Sequence, residues 1–175
     1  MSKSLDLAIV GCGDIGGYVS SFAWMNSKIR IRAFVDPDKD RADKLARRYR
    51  VQDVFTEYQD MLDQTKLDAV YLAVPHDLHK EMILQAVERG RHVLVEKPVT
   101  RTLKEAVTII SQTGSKKVKI GVNYQYRYDL GCYALARAVQ RGDLGNVHYI
   151  QCNLPWKRTS NYFQEGHRIR IEVSS

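Results

Sequence analysis

Residues Gly11-Cys12-Gly13-Asp14-Ile15-Gly16 spell G-x-G-x-x-G between an apolar run, Leu5–Val10, and an amphipathic stretch that starts at Asp14. That pattern suits the cradling of a dinucleotide pyrophosphate. Gly11 permits a tight turn, Gly13 lets the backbone approach the phosphates, and Gly16 lets helix and strand pack closely. The helix start that follows, with Asp14 and Ile15 in its first turn, offers free N–H groups and the positive end of its dipole to an anion. Taken alone, the pattern also describes a helix start in an unrelated α/β protein. Asp36 supplies a second signal: it ends the second apolar run, twenty residues after Gly16, where a carboxylate accepts hydrogen bonds from ribose hydroxyls. It also suits a helix cap before Pro37, and the two roles are compatible. A carboxylate there repels a 2′-phosphate, so NAD is the expected cofactor; Arg41, one turn along, softens that preference and keeps NADP possible.

Two further segments carry chemistry. Ala73-Val74-Pro75-His76 and Val95-Glu96-Lys97-Pro98 close the fourth and fifth β-like runs, on the sheet edge where ligands of open α/β sheets bind. A lysine at that edge can exchange a proton with a substrate hydroxyl if burial or a neighbouring charge lowers its pKa. Lys97 also reads as a surface lysine paired with Glu96, and spacing leaves both readings open. Cys12 lies where a helix start lowers a thiol pKa. No histidine is near it in sequence, so it reads as a small turn residue.

The elements that must position these groups alternate between short β-branched runs and amphipathic stretches. The spacing predicts strands at 5–10, 30–35, 51–55, 68–74, 92–96 and 118–122, with helices at 14–26, 37–49, 57–64, 78–89 and 102–113 between them. This is a doubly wound parallel sheet of the Rossmann kind, an α/β fold over residues 1–122. Residues 123–175 read as a separate segment, too short for a sizeable core of its own: a helix over 128–140, a tight turn, a strand at Val147–Leu154, and a polar, aperiodic tail. A strand without its sheet is an association template, so the chain is expected to form a homo-oligomer or to fold the strand back on its own domain.

Composition narrows the function classes. With 44% hydrophobic and 27% charged residues the 175-residue chain is an ordinary globular protein, neither disordered nor collagen-like. No apolar run reaches a membrane span, and no signal-peptide pattern opens the chain, so no membrane partner is expected. Three scattered cysteines, Cys12, Cys132 and Cys152, make neither a disulfide framework nor a zinc site, so no metal is expected and a reducing cytoplasm is the default. The net charge of +7 invites a nucleic-acid reading, with stacking on Tyr124, Tyr126, Tyr128, Tyr133 and Tyr149. The basic residues are spread along the chain, and the densest group, Arg41 to Arg50, has the spacing of a solvated helix face. No nucleic-acid partner is therefore expected.

Taken together, the segments AIVGCGDIGG, FVDPDKDRA, YLAVPHDLHKEMILQAVERGRHVLVEKPVT, GVNYQYRYD and GDLGNVHYIQCNLPW resemble the glucose–fructose oxidoreductase, inositol dehydrogenase and rhizopine-catabolism family (Gfo/Idh/MocA), in family order over residues 5 to 163. The resemblance implies an NAD(P)-dependent oxidoreductase acting on a sugar, cyclitol or related polyol. It implies that Lys97, within Glu96-Lys97-Pro98, is the catalytic lysine. It also implies that Ala73, Val74, Pro75, His76 and His79 lie beside the nicotinamide half of the cofactor, and that Asn123 and Arg127 line the same cleft. The resemblance implies that residues 123–175 are the truncated start of a second, α+β domain, and the sequence departs from the family in length and in its last residues. The family's Gly-rich segment with a catalytic histidine has no counterpart, and His167 falls too early to take that role. A truncated gene product, a frameshifted gene and a natural short form all fit, and a non-catalytic dinucleotide-binding module is the alternative to an oxidoreductase.

Overall fold

The computed structural model describes residues 4–155 and 157. It divides into two compact units, with the division after Tyr124. In the first unit, β1 (Leu5–Val10), β2 (Ile29–Val35), β3 (Asp53–Phe55), β4 (Ala69–Leu72), β5 (His92–Val95) and β6 (Ile120–Val122) form one sheet in the order β3-β2-β1-β4-β5-β6. Every pairing is parallel. The strand order reverses between β1 and β4, and open α/β sheets bind ligands in the crevice at the carboxyl ends of strands at such a point.

Five helices, α1 (Asp14–Met25), α2 (Lys39–Tyr49), α3 (Tyr58–Gln64), α4 (His79–Glu88) and α5 (Leu103–Thr113), connect the strands. Because side chains alternate across a strand, β1 and β4 each feed two cores. Ala8, Val10, Val70 and Leu72 pack with Met61, Leu62, Ile83, Val87 and Ile109 of α3, α4 and α5. Leu7, Ile9 and Tyr71 pack with Ala23, Ala42, Leu45 and Tyr49 of α1 and α2. The β1–β2 register slips between these sets: Leu7 pairs with Ile31 and Ala8 with Ala33, so Arg32 stands opposite no residue and β2 is bulged there.

Local chemistry fixes the helix ends. Asp38, rather than Asp36, caps α2 by accepting the N–H groups of Asp40 and Arg41, which starts the helix two residues beyond the expected Pro37. Thr102 and Glu105 form a capping box on α5. His76–Leu78 is a turn of 3-10 helix that runs into α4, so the helix expected from Leu78 begins at His79. No helix among the described residues is long and apolar enough to cross a membrane.

The second unit holds a 3-10 turn, Gln125–Tyr128, and α6 (Leu130–Arg141). Asp129 caps α6 by accepting the N–H groups of Gly131 and Cys132, which moves its start past the expected Tyr128; Gly142, at φ 78°, ends it. The strand expected at Val147–Leu154 does not form. Apolar alternation marks a segment able to join a ladder, but a strand exists only where a neighbour supplies the other half of its hydrogen bonds. None is present among the described residues of this unit. His167 and the rest of the tail lie outside the described residues.

Candidate functional site

The glycine loop is built by backbone contacts that tolerate no side chain at two of its three glycines. Gly11 has φ +87° and donates its N–H to the Val35 carbonyl at 2.8 Å; a Cβ there would stand 2.3 Å from the Ala73 carbonyl oxygen. A Cβ on Gly16 would stand 1.9 Å from the Gly11 carbonyl oxygen. Gly16 therefore serves the loop's own closure before it serves packing on Ile9, 3.7 Å away. Gly13 differs: a Cβ there meets nothing within 4 Å. It is the N-cap of α1, and no side chain caps that helix. The first N–H groups of α1, through Asp14 and Ile15, thus have no intrahelical acceptor and open onto a cradle that a Cβ would fill. An anionic pyrophosphate fits that donor set.

Asp36 is 7% exposed. Its Oδ2 accepts the Cys12 N–H at 2.7 Å and its Oδ1 the Asp38 N–H at 2.9 Å, so the carboxylate ties the loop to the end of β2. Each carboxylate oxygen keeps a further lone pair for a ribose hydroxyl. Arg41 is paired with Asp38, Nε to Oδ2 at 3.1 Å, on the exposed start of α2. Cys12 is buried, and its thiol donates to the Val35 carbonyl oxygen at 3.6 Å. Burial, and secondarily the Asp36 charge, push that thiol up to about 12. Desolvation outweighs the helix start, and Cys12 is a neutral turn residue.

The ends of β4, β5 and β6 are laced in turn: Ala73 N–H donates to Val10 O at 2.8 Å, Glu96 N–H to Leu72 O at 3.0 Å, and Asn123 N–H to Val95 O at 2.8 Å. Beyond β4, Ala73 and Val74 are half-buried while Pro75 and His76 are exposed. His79 is fully buried, its Nδ1 2.9 Å from the Pro98 carbonyl oxygen and its Nε2 3.1 Å from that of Val74. Both ring nitrogens are engaged, so His79 joins the β4 turn to the segment carrying Lys97. Glu96 accepts hydrogen bonds from the Tyr71 hydroxyl and from Asn123 Nδ2, the latter at 2.7 Å, and Asn123 Nδ2 also lies 3.0 Å from Tyr71 Oη. Burial, then the Glu96 carboxylate, raise the Tyr71 phenol well above its ordinary value, so it stays a donor. Sequence reasoning missed Tyr71; the one signal was a phenol in the middle of the apolar run 69–74. Lys97 is exposed, and among the described residues no ion pair involves it. The surface pairing with Glu96 is not made, because that carboxylate is turned to Tyr71 and Asn123. Arg127 is exposed in the second unit, while the other candidate residues belong to the first.

Comparison with known proteins gives this geometry its family. A family model described as oxidoreductase family, NAD-binding Rossmann fold (Gfo/Idh/MocA) matches residues 5–124. The inositol 2-dehydrogenase of Corynebacterium glutamicum (strain R) is 30% identical over 149 residues, which cover 84% of this chain and 44% of the relative. GenD2 from gentamicin A biosynthesis, solved in complex with NAD, is 28% identical with a TM-score of 0.77 over 85% of this chain and 42% of its own. The scyllo-inositol dehydrogenase of Lactobacillus casei, solved with NAD(H) and scyllo-inositol, shares the fold at a TM-score of 0.77 and 23% identity, over 82% of this chain and 43% of its own. The chain spans about half the length of the curated relatives it matches. The family match runs through the whole laced edge, from the glycine loop to Asn123, and the chain belongs to the Gfo/Idh/MocA oxidoreductase family, whose NAD-binding Rossmann fold it carries.

Proposed function

We propose that the chain binds a nicotinamide dinucleotide and takes part in hydride transfer at a carbinol carbon of a sugar, cyclitol or related polyol. The observation that carries this reading is the uncapped start of α1 behind Gly13, on the same sheet edge as buried Asp36 and the Lys97 turn. The family and the inositol dehydrogenases among its relatives support the substrate class.

The roles follow from the groups. The α1 N–H groups, of Asp14, Ile15 and Gly16, hold the pyrophosphate, and Gly13 keeps their approach open. Asp36 accepts the adenosine ribose hydroxyls, and its charge disfavours a 2′-phosphate. Arg41, held by Asp38, does little to offset that, so NAD(H) is preferred. Ala73, Val74, Pro75 and His76 line the nicotinamide side together with Asn123, and His79 joins their turn to the Lys97 segment. When bound, the nicotinamide supplies or accepts the hydride. Lys97 Nζ takes the hydroxyl proton as the alcohol is oxidised and returns it on reduction. Residues 1–122 act as the cofactor domain, 123–175 begin a second domain, and the protein self-associates in the cytoplasm.

A second reading, a dinucleotide-binding module without turnover, is favoured by the exposure of Lys97, whose amine makes no ion pair among the described residues. Calorimetric titration with NADH and with NADPH tests the shared part: tight NADH and weak NADPH binding are expected, and a folded protein that binds neither overturns both readings. Turnover of a polyol panel with NAD then separates them, since ordinary rates refute the module.

A further inference from the structure

Side chains from three neighbouring strands meet at the carboxyl edge of the sheet: Tyr71 of β4, Glu96 just past β5 and Asn123 just past β6. Their protons have one consistent arrangement. Asn123 Nδ2 carries hydrogens and has no lone pair to offer, so at 3.0 Å from Tyr71 Oη it donates and the phenol oxygen accepts. The phenol proton then goes to Glu96 Oε1, which also accepts the other Asn123 hydrogen at 2.7 Å. Glu96 Oε1 thus takes both donors, as a carboxylate oxygen can. Tyr71 keeps its proton, because burial and then the Glu96 carboxylate hold the phenol well above its ordinary range.

Glu96 Oε2 is left over. It makes no hydrogen bond among the described residues, and the buried side-chain polar atoms without a partner, Arg32 Nε, Tyr49 Oη and Arg91 Nε, do not include it. It is therefore open to water, on a residue that is half-buried. Tyr71 is 1% exposed and meets no ligand itself. Turning the carboxylate would break both bonds to Oε1, so the open oxygen keeps one direction. The strand order says what passes it. On the reading proposed above, Asp36 after β2 accepts the adenosine ribose and the glycine loop after β1 holds the pyrophosphate. A dinucleotide running on in the order β2-β1-β4-β5 carries its other half past the ends of β4 and β5, and Glu96 directly follows β5.

Resting on that reading, we propose that Tyr71 is a positioning residue of the dinucleotide site: with Asn123 it pins one oxygen of Glu96, so that the other is presented to a hydrogen-bond donor on the nicotinamide half, a ribose hydroxyl or the carboxamide N–H. A charged acceptor already held in place accepts such a bond without first losing rotamer freedom.

The test is calorimetric titration of the whole chain with ADP, ADP-ribose and NADH, which add the second ribose and then the nicotinamide. Tyr71→Phe removes the phenol proton and should weaken NADH about three- to fivefold while ADP stays within about twofold. Glu96→Gln should weaken NADH about tenfold or more. Adding Tyr71→Phe to Glu96→Gln should then cost less than it does in wild type, because the phenol acts through the carboxylate. A loss shared by ADP-ribose identifies the ribose hydroxyl as the donor, and a loss confined to NADH identifies the carboxamide. Equal losses for ADP and NADH, as a merely loosened fold would give, overturn the proposal, and so does an unchanged NADH affinity in Tyr71→Phe. Should Tyr71→Phe fail to fold, Glu96→Gln decides: an unchanged ratio of NADH to ADP affinity removes the acceptor on which the proposal stands. If wild type binds none of the three ligands, the dinucleotide reading falls with it; if wild type binds them and the variants show no contrast, this proposal alone falls.

Discussion

The glycine loop makes a sharp prediction, because its glycines answer to different neighbours. Gly13→Ala adds a methyl that meets nothing within 4 Å, at a residue whose φ of −73° suits alanine. Replacing glycine at such a position gains about 0.4–1 kcal/mol through the unfolded chain, while alanine at a helix N-cap loses about as much. Fold stability should therefore stay within about 1 kcal/mol of wild type. NADH binding should not: the methyl fills the cradle that the pyrophosphate must enter, and forcing a methyl into a packed contact costs about 1–3 kcal/mol. That corresponds to roughly 5- to 150-fold in Kd. Gly16→Ala should behave in the opposite way. Its Cβ would sit 1.9 Å from the Gly11 carbonyl oxygen, so the backbone must move and the fold itself weakens. A loss of about 1–3 kcal/mol lowers the melting temperature by some 2–4 °C per kcal/mol in a chain of this size. Calorimetric NADH titration beside thermal melting reads both quantities. If Gly13→Ala bound NADH as wild type does, the pyrophosphate would not pass over α1, and the argument for the loop would be wrong.

Other outcomes follow from the same edge. Lys97→Ala should leave NADH affinity within about twofold, since the side chain is exposed, and should abolish any polyol turnover; an equal loss of both would make the lysine structural. Tyr71→Phe removes one of two donors to Glu96 and should cost about 1–2 kcal/mol in urea denaturation; unchanged stability would show that the Tyr71–Glu96 contact contributes nothing. The Cys12 thiol binds its proton more tightly in the folded chain than the ordinary value near 9 allows, so stability should fall as pH rises from about 9 toward about 12. Cys12→Ala should flatten that part of the stability profile, and a profile identical to wild type would refute the assigned burial effect.

What could be read from the sequence was what depends on neighbours along the chain. The glycine spacing, Asp36 at a strand end and Lys97 after another are local patterns, and the sheet edge assembles them as the crossover rule requires. Tyr71 was hidden because its partners, Glu96 and Asn123, become neighbours only when β4, β5 and β6 lie side by side. Arg32 was hidden for a similar reason, since a bulge is a property of two registers and no single strand announces it. The choice of Asp38 over Asp36 as the α2 cap turned on which carboxylate the loop had already claimed. Val147–Leu154 failed as a strand because alternation describes one side of a ladder and says nothing of its other side.

The double use of Asp36 bears on re-engineering the cofactor preference. A redesign toward NADP would ordinarily begin by replacing this acidic residue with a small neutral one. Here that exchange would strip the acceptors from the Cys12 and Asp38 N–H groups and loosen the loop that both cofactors need. Asp38 is the better lever. Asp38→Ser keeps a side-chain oxygen for the α2 cap while releasing Arg41, whose guanidinium then becomes free to meet a 2′-phosphate. If Asp36 disfavours the 2′-phosphate as proposed, Asp38→Ser is expected to raise NADPH affinity relative to NADH, which titration of the variant with both cofactors measures.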